Sequence, residues 1–208
     1  YTRMMMGFLL FQPEPRSIAM VGLGGGSLAK FCHRHLPGAH IRVVEINPQV
    51  IALRDEFKVP PDSERFSVIQ ADGADFMRFS PGRFNVLLID GYAGEGLPGQ
   101  LASQQFYDEC FDSLLPEGIM VVNLLADLAD YVQILGRIER SFNGRPALAV
   151  PVGDRTQGNR IVFAKKGRSM GALRMGPLRR PVTLDEPAWK PLQASFAGIL
   201  SALKGHGS

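Results

Sequence analysis

Cysteine, histidine clusters and long apolar runs are scarce in this chain, and each shortage narrows what the protein can be. Its two cysteines, Cys32 and Cys110, fall in predicted helices at unrelated spacing. They form no disulfide framework and fit reduced thiols in a cytoplasmic protein. No apolar run reaches the roughly 18–20 residues that a membrane span needs. Met4–Phe11 is apolar but short, and its lead-in lacks a signal-peptide cleavage pattern. No membrane partner is expected. The histidines at 33, 35, 40 and 206 have no metal-ligand spacing, so no metal is expected either. The chain begins at Tyr1 rather than Met, which leaves room for a leader or an entire preceding domain upstream.

Charge is nearly balanced but unevenly placed. The net charge is +3, yet residues 1–140 carry 12 Lys/Arg against 17 Asp/Glu, and residues 141–208 carry 11 against 3. A basic tail can mark a nucleic-acid site. Here its cations are scattered among prolines and glycines without aromatic interleaving, so a solvated, partly flexible surface is expected and a nucleic-acid partner is not. The 208 residues, 45% hydrophobic and 21% charged, suit one globular domain with a full core and a short appendage.

Apolar runs alternate with helical patterns. Strands are predicted over Ser17–Val21, Ile41–Ile46, Phe66–Gln70, Phe84–Ile89 and Ile119–Leu124. Helices are predicted over Leu28–His35, Pro48–Phe57, a short stretch ending at Phe79, Gln104–Leu115 and Tyr131–Phe142. Met4–Phe11 reads as a short helix or buried segment. Ala147–Val152 and Arg160–Lys165 read as a terminal antiparallel hairpin, and Trp189–Leu203 as a last helix. This order implies an α/β fold with a doubly wound, mostly parallel sheet. Ligands of such sheets lie at the carboxyl ends of the strands.

The chain places its polar candidates at those ends. Val21-Gly-Leu-Gly-Gly-Gly-Ser27 follows the first strand, where missing Cβ atoms let backbone approach a ligand and a helix start offers unpaired N–H groups. Glu45 follows about 20 residues later, where a carboxylate can accept ribose hydroxyls and would repel a 2′-phosphate. An ordinary tight turn with an exposed glutamate is the other possibility. Asp72 ends the third strand and can meet an adenine amino group or cap the next helix. Asp90 ends the fourth and can steer or deprotonate an amine, or serve a turn into Gly91. Tyr92 is either a lid aromatic or a plain loop residue. The glycine turn alone does not distinguish NAD from S-adenosylmethionine. The Asp72-Gly73 turn suits a one-nucleoside site, and the hairpin suits a methyltransferase-type sheet.

From about Tyr1 to Lys166 the sequence resembles the spermidine/spermine synthase family, aminopropyltransferases with the Rossmann-like S-adenosylmethionine methyltransferase fold. Tyr1-Thr-Arg-Met-Met-Met-Gly-Phe looks like the segment before the family's first strand, and Val21–Ser27 stands where the family has Gly-Gly-Gly-Asp-Gly-Gly. Val44-Glu-Ile-Asn47 is similar to its ribose-binding Glu-Ile-Asp, and Ala71-Asp-Gly-Ala-Asp-Phe-Met77 to its adenine-side segment. Phe84-Asn-Val-Leu-Leu-Ile-Asp-Gly-Tyr-Ala93 occupies the place of its catalytic Asp-Ser-Ser-Asp loop. Gln105-Phe-Tyr-Asp-Glu-Cys and Leu115-Pro-Glu-Gly-Ile-Met-Val-Val-Asn123 also follow its pattern. Gly25 replaces the loop aspartate that holds the donor's amine tail, and Ala93 replaces the second catalytic-loop aspartate, which binds the acceptor. Each lost charged hydrogen bond removes about 1–3 kcal/mol. The small β-rich domain that closes the family's active site is not part of this sequence.

The resemblance implies that Gly22, Gly24, Gly26, Glu45, Ile46, Asp72 and Gly73 bind decarboxylated S-adenosylmethionine or S-adenosylmethionine. Asp90 becomes the catalytic residue, Tyr92 part of the substrate loop, and a small-molecule amine the acceptor. A homodimer is expected by the same resemblance. Residues 1–166 form the nucleoside-binding domain, and 167–208 a basic C-terminal extension, partly helical or flexible. A methyltransferase is the alternative, since Gly25 leaves room for the methionine carboxylate. A non-catalytic nucleoside-binding homologue is the third.

Overall fold

Ser17–Val21, short and apolar, is the strand from which the sheet spreads in both directions. The protein is described by a computed structural model that covers residues 1–92, 96–126, 130–153, 158–172 and 176–206. The strands are β1 (Ser17–Val21), β2 (His40–Glu45), β3 (Phe66–Gln70), β4 (Phe84–Ile89), β5 (Leu114–Leu125), β6 (Leu148–Pro151) and β7 (Asn159–Lys165). They form one seven-stranded sheet in the order β3-β2-β1-β4-β5-β7-β6. The first five are parallel, and β7 and β6 run antiparallel to their neighbours. The predicted doubly wound sheet with its C-terminal hairpin is what forms. Strand order reverses between β1 and β4, so a crevice opens at their carboxyl ends.

Helices cover both faces: α1 (Thr2–Met5), α2 (Ser27–His35), α3 (Pro48–Ala52), α4 (Gly73–Arg78), α5 (Gly99–Ala102), α6 (Gln104–Ser113), α7 (Tyr131–Ser141), α8 (Glu186–Trp189) and α9 (Gln193–His206). A 3-10 turn, Met6–Leu10, continues α1. On one face Met5, Phe8, Ile18, Val43, Leu88 and Phe163 pack with Trp189, Phe196 and Ile199. On the other, Ala19, Leu87, Met120 and Val122 pack with Met77, Phe106, Cys110 and Ile138. Alternate residues of the central strands thus feed opposite cores, which is why those strands read as unbroken apolar runs. Both cysteines are free and buried.

Two predicted helices are shorter than their patterns. The one starting at Pro48 ends at Ala52 rather than Phe57. Leu53 and Phe57 stay 39% and 42% exposed, so no core contact holds the next turns. The chain closes instead through Val59 N–H donating to Arg54 C=O at 2.8 Å. The helix expected to reach Leu115 stops at Ser113, because Pro116 disfavours helical backbone in the residue before it. Pro116-Glu-Gly118 lies within β5 as an irregularity, where pairing jumps from Leu114–Phe84 to Ile119–Val86.

The C-terminal stretch contributes to the core despite its surplus of cations. Phe196, Ile199 and Leu203 share one buried helical face. Trp189 meets Phe196 edge-on at 5.3 Å. Gly7 lies so close to Ile199 that an added Cβ would collide with it. Phe196 is fully buried, so Phe196→Ala should cost about 3–5 kcal/mol through lost burial and a cavity. Urea unfolding followed by circular dichroism checks this, and an unchanged midpoint would mean α9 does not contribute to the core.

Candidate functional site

The glycine turn works because two strands end almost on top of one another. Gly22 has φ 96°, and its N–H donates to Val44 C=O at 2.8 Å. A Cβ at Gly22 would run into the Asp90 carbonyl oxygen, so only glycine lets β1 and β4 release their chains side by side. The turn then closes through Gly26 N–H donating to Leu23 C=O at 2.9 Å, and Gly26 begins α2.

The turn is locked from β2. Glu45, 9% exposed, accepts from Leu23 N–H at 2.8 Å through Oε2 and from Asn47 N–H at 2.9 Å through Oε1. One carboxylate therefore spans the glycine turn and the start of α3. Each oxygen keeps a lone pair for a further donor. Asn47 in turn caps α3 by accepting from Gln49 N–H at 2.9 Å.

Asp72 takes the capping role and also meets a side chain across the cleft. Its Oδ1 caps α4 by accepting from Ala74 N–H at 2.7 Å, while Oδ2 accepts from Gln100 Nε2 at 3.3 Å. Asp90 follows β4, with Oδ1 accepting from Asn123 Nδ2 at 2.8 Å. The Tyr1 phenol lies in the same cleft, beside this carboxylate. Burial first, and then the charge and hydrogen bond of Asp90, push that phenol up to about 12. It stays protonated, and hence a donor, at neutral pH. The Tyr92 hydroxyl accepts from Leu125 N–H at 2.8 Å, tying the segment after β4 to the end of β5.

These groups surround one cleft of about 470 Å³ at the carboxyl ends of the parallel strands. Gly22, Gly24, Glu45, Ile46, Asp72, Gly73, Asp90 and Tyr92 all line it. Gly26 does not: a Cβ there would meet Val59 at 2.5 Å, so it faces the packing beneath the turn. Gly25 borders the cleft, with nothing within 4 Å of a Cβ placed on it. Ala93 lies outside the described residues. No cluster of three metal-binding side chains occurs among the described residues, nor does any helix there have the length and hydropathy to cross a membrane.

Sequence reasoning missed Gln100, Asn123 and the Tyr1 contact. Asn123 carried a signal, being the one polar side chain in the apolar run Ile119–Leu125 and only 4% exposed. Gln100 and Tyr1 carried none, since long-range packing alone brings them to the cleft.

The family profile described as the spermine/spermidine synthase domain matches residues 1–131. A polyamine aminopropyltransferase of Chromobacterium violaceum is 38% identical over 165 residues, covering 79% of this chain and 62% of that protein. The chain thus spans less than two thirds of that relative's length. A probable spermidine synthase from Corynebacterium glutamicum superposes with a TM-score of 0.71 at 18% identity, covering 100% of this chain and 78% of that one. Human methyltransferase-like protein 13, in complex with SAH, superposes with a TM-score of 0.68 at 24% identity, covering 95% and 90%. At those identities the two structures establish the shared fold.

The Tyr1–Asp90 contact is testable by titration. Ionising the phenol beside a carboxylate creates a second negative charge, so removing the carboxylate must lower the midpoint. In Asp90→Asn the Tyr1 ring carbon signal should titrate below about 12 but above the ordinary 10.0, because burial remains. An unchanged midpoint would separate the two side chains.

Proposed function

The chain belongs to the spermine/spermidine synthase family, and from that premise we propose that it is a spermidine synthase-like transferase of polyamine biosynthesis. It binds decarboxylated S-adenosylmethionine and transfers the aminopropyl group to a small amine. One observation carries this: Glu45, Asp72 and Asp90, from three different strand ends, line a single cleft beside the glycine turn.

Glu45 takes the ribose hydroxyls with the lone pairs left after its two backbone bonds. Asp72 and Gly73 face the adenine, Ile46 lies against it from the lip, and Gly22 and Gly24 bring backbone close to the donor. The acceptor amine, once neutral, attacks the carbon beside the sulfonium. The new C–N bond forms as the C–S bond breaks, and the bonding pair returns to sulfur. Methylthioadenosine leaves as a neutral thioether, and the alkylated amine gives up a proton towards Asp90. Alignment of amine, carbon and sulfur supplies much of the rate. Tyr92 borders the acceptor's path. Two buried free cysteines support a reducing, cytoplasmic setting, and the family likeness supports a homodimer.

A second reading, methyl transfer from S-adenosylmethionine, is favoured by Gly25. The open space at that position would admit the carboxylate that the decarboxylated donor lacks, with no aspartate to repel it.

Labelled decarboxylated donor incubated with putrescine should release methylthioadenosine. Asp90→Asn should lower kcat by about 10²–10⁴-fold with donor affinity retained. Calorimetry with both donors should favour the decarboxylated form. Preference for the carboxylated donor would replace aminopropyl transfer by methyl transfer, and no turnover with a broad amine panel would leave a non-catalytic binding protein.

A further inference from the structure

Three polar side chains stand where three neighbouring strands end. The β4–β5 register sets Leu88 beside Val121 and Ile89 beside Val122, which brings Asp90 next to Asn123. In the antiparallel pair, Asn123 is opposite Ile161. Asn159, two residues along β7, is therefore its diagonal neighbour on the same face. The side chains are joined in series. Asn159 Nδ2 donates to Asn123 Oδ1 at 2.8 Å, and Asn123 Nδ2 donates to Asp90 Oδ1 at 2.8 Å.

The direction of this series matters. An amide has one accepting and one donating end. With its oxygen engaged by Asn159, Asn123 must turn its NH₂ towards Asp90. Asn123 is buried, 4% exposed, so water does not readily replace either bond. The terminal torsion of an aspartate is otherwise broad, and an unrestrained carboxylate would offer either oxygen over a range of angles.

We propose that Asn123, oriented by Asn159, is a positioning residue for Asp90: it holds Oδ1 and so limits the orientations in which the carboxylate meets the acceptor amine. This rests on Asp90 being the amine-facing carboxylate. Its signature is kinetic. Donor binding depends on the other side of the cleft, so losing the restraint should act on kcat and leave donor affinity alone. A strand-end asparagine that only packs would lower stability without that split.

The test uses the full chain with Asn123→Asp, which replaces the donor by a repelling acceptor of the same shape, and Asn159→Ala, which acts only through Asn123. Asn123→Asp should lower kcat for methylthioadenosine release by about 100-fold, with the donor Kd within about threefold of wild type by calorimetry. Asn159→Ala should lower kcat by about 5- to 10-fold with the same split. Unchanged kcat in both variants, or kcat and donor affinity falling together, overturns the proposal. A readout independent of turnover separates this outcome from failure of the aminopropyl reading. The Tyr1 phenol reports on Asp90 whether or not the protein is active, and its titration midpoint should move in Asn159→Ala, which brings no new charge of its own. If the wild type is inactive but the Tyr1 midpoint moves, the positioning role stands and the transferase reading falls. A folded Asn159→Ala protein with an unmoved Tyr1 midpoint overturns the positioning role.

Discussion

A single buried carboxylate holds one side of the cleft in shape. Glu45 bonds to the backbone of Leu23 in the glycine turn and of Asn47 at the start of α3, joining elements more than 20 residues apart. Burying a carboxylate is costly unless donors meet it, and here two backbone N–H groups do. Those same N–H groups would otherwise be unpaired beside a concave surface. The charge is therefore structural before any ligand arrives. What remains on its oxygens points the site towards a ligand with hydroxyl donors, which is the chemistry a ribose offers.

The order of the strands turns that local lock into a site. Because the sheet reverses between β1 and β4, the chain leaves both strands at one end with no crossover helix between them. Gly22 and the Asp90 carbonyl meet at that gap. On its flanks, β2 and β3 supply Glu45 and Asp72, and β5 supplies Asn123 behind Asp90. One row of strand ends thus runs from Asp72 and Glu45 past the glycine turn to Asp90. This sheet order belongs to a fold shared with human methyltransferase-like protein 13, and a fold alone does not fix the chemistry at its strand ends.

Much of this was legible from residues alone, for reasons that can be stated. β1 and β4 match their predicted bounds because strands buried on both faces must be continuously apolar, and the edge strand β3 matches its own through its β-branched centre between turns. Gly22, Glu45, Asp72 and Asp90 were readable because a parallel sheet confines its chemistry to one end of each strand. Gly26 was misread as ligand-facing, since a glycine required by left-handed backbone (φ 70°) and by Val59 looks the same in sequence as one required by a ligand. The link from Asn159 through Asn123 to Asp90 depends on register between strands far apart in sequence, which local pattern does not encode. The early end of α3 has the same cause in reverse: Leu53 and Phe57 have helical spacing but no partner.

The meeting of Gly7 with Ile199 has a consequence for how the molecule is made. One of its two cores joins Met5 and Phe8 to Phe196 and Ile199, segments far apart in the sequence. Contacts of such span carry a large loop-closure entropy and form late. That core is therefore complete only once α9 is in place, whereas the opposite core, built from residues between Ala19 and Ala164, closes without either terminal segment.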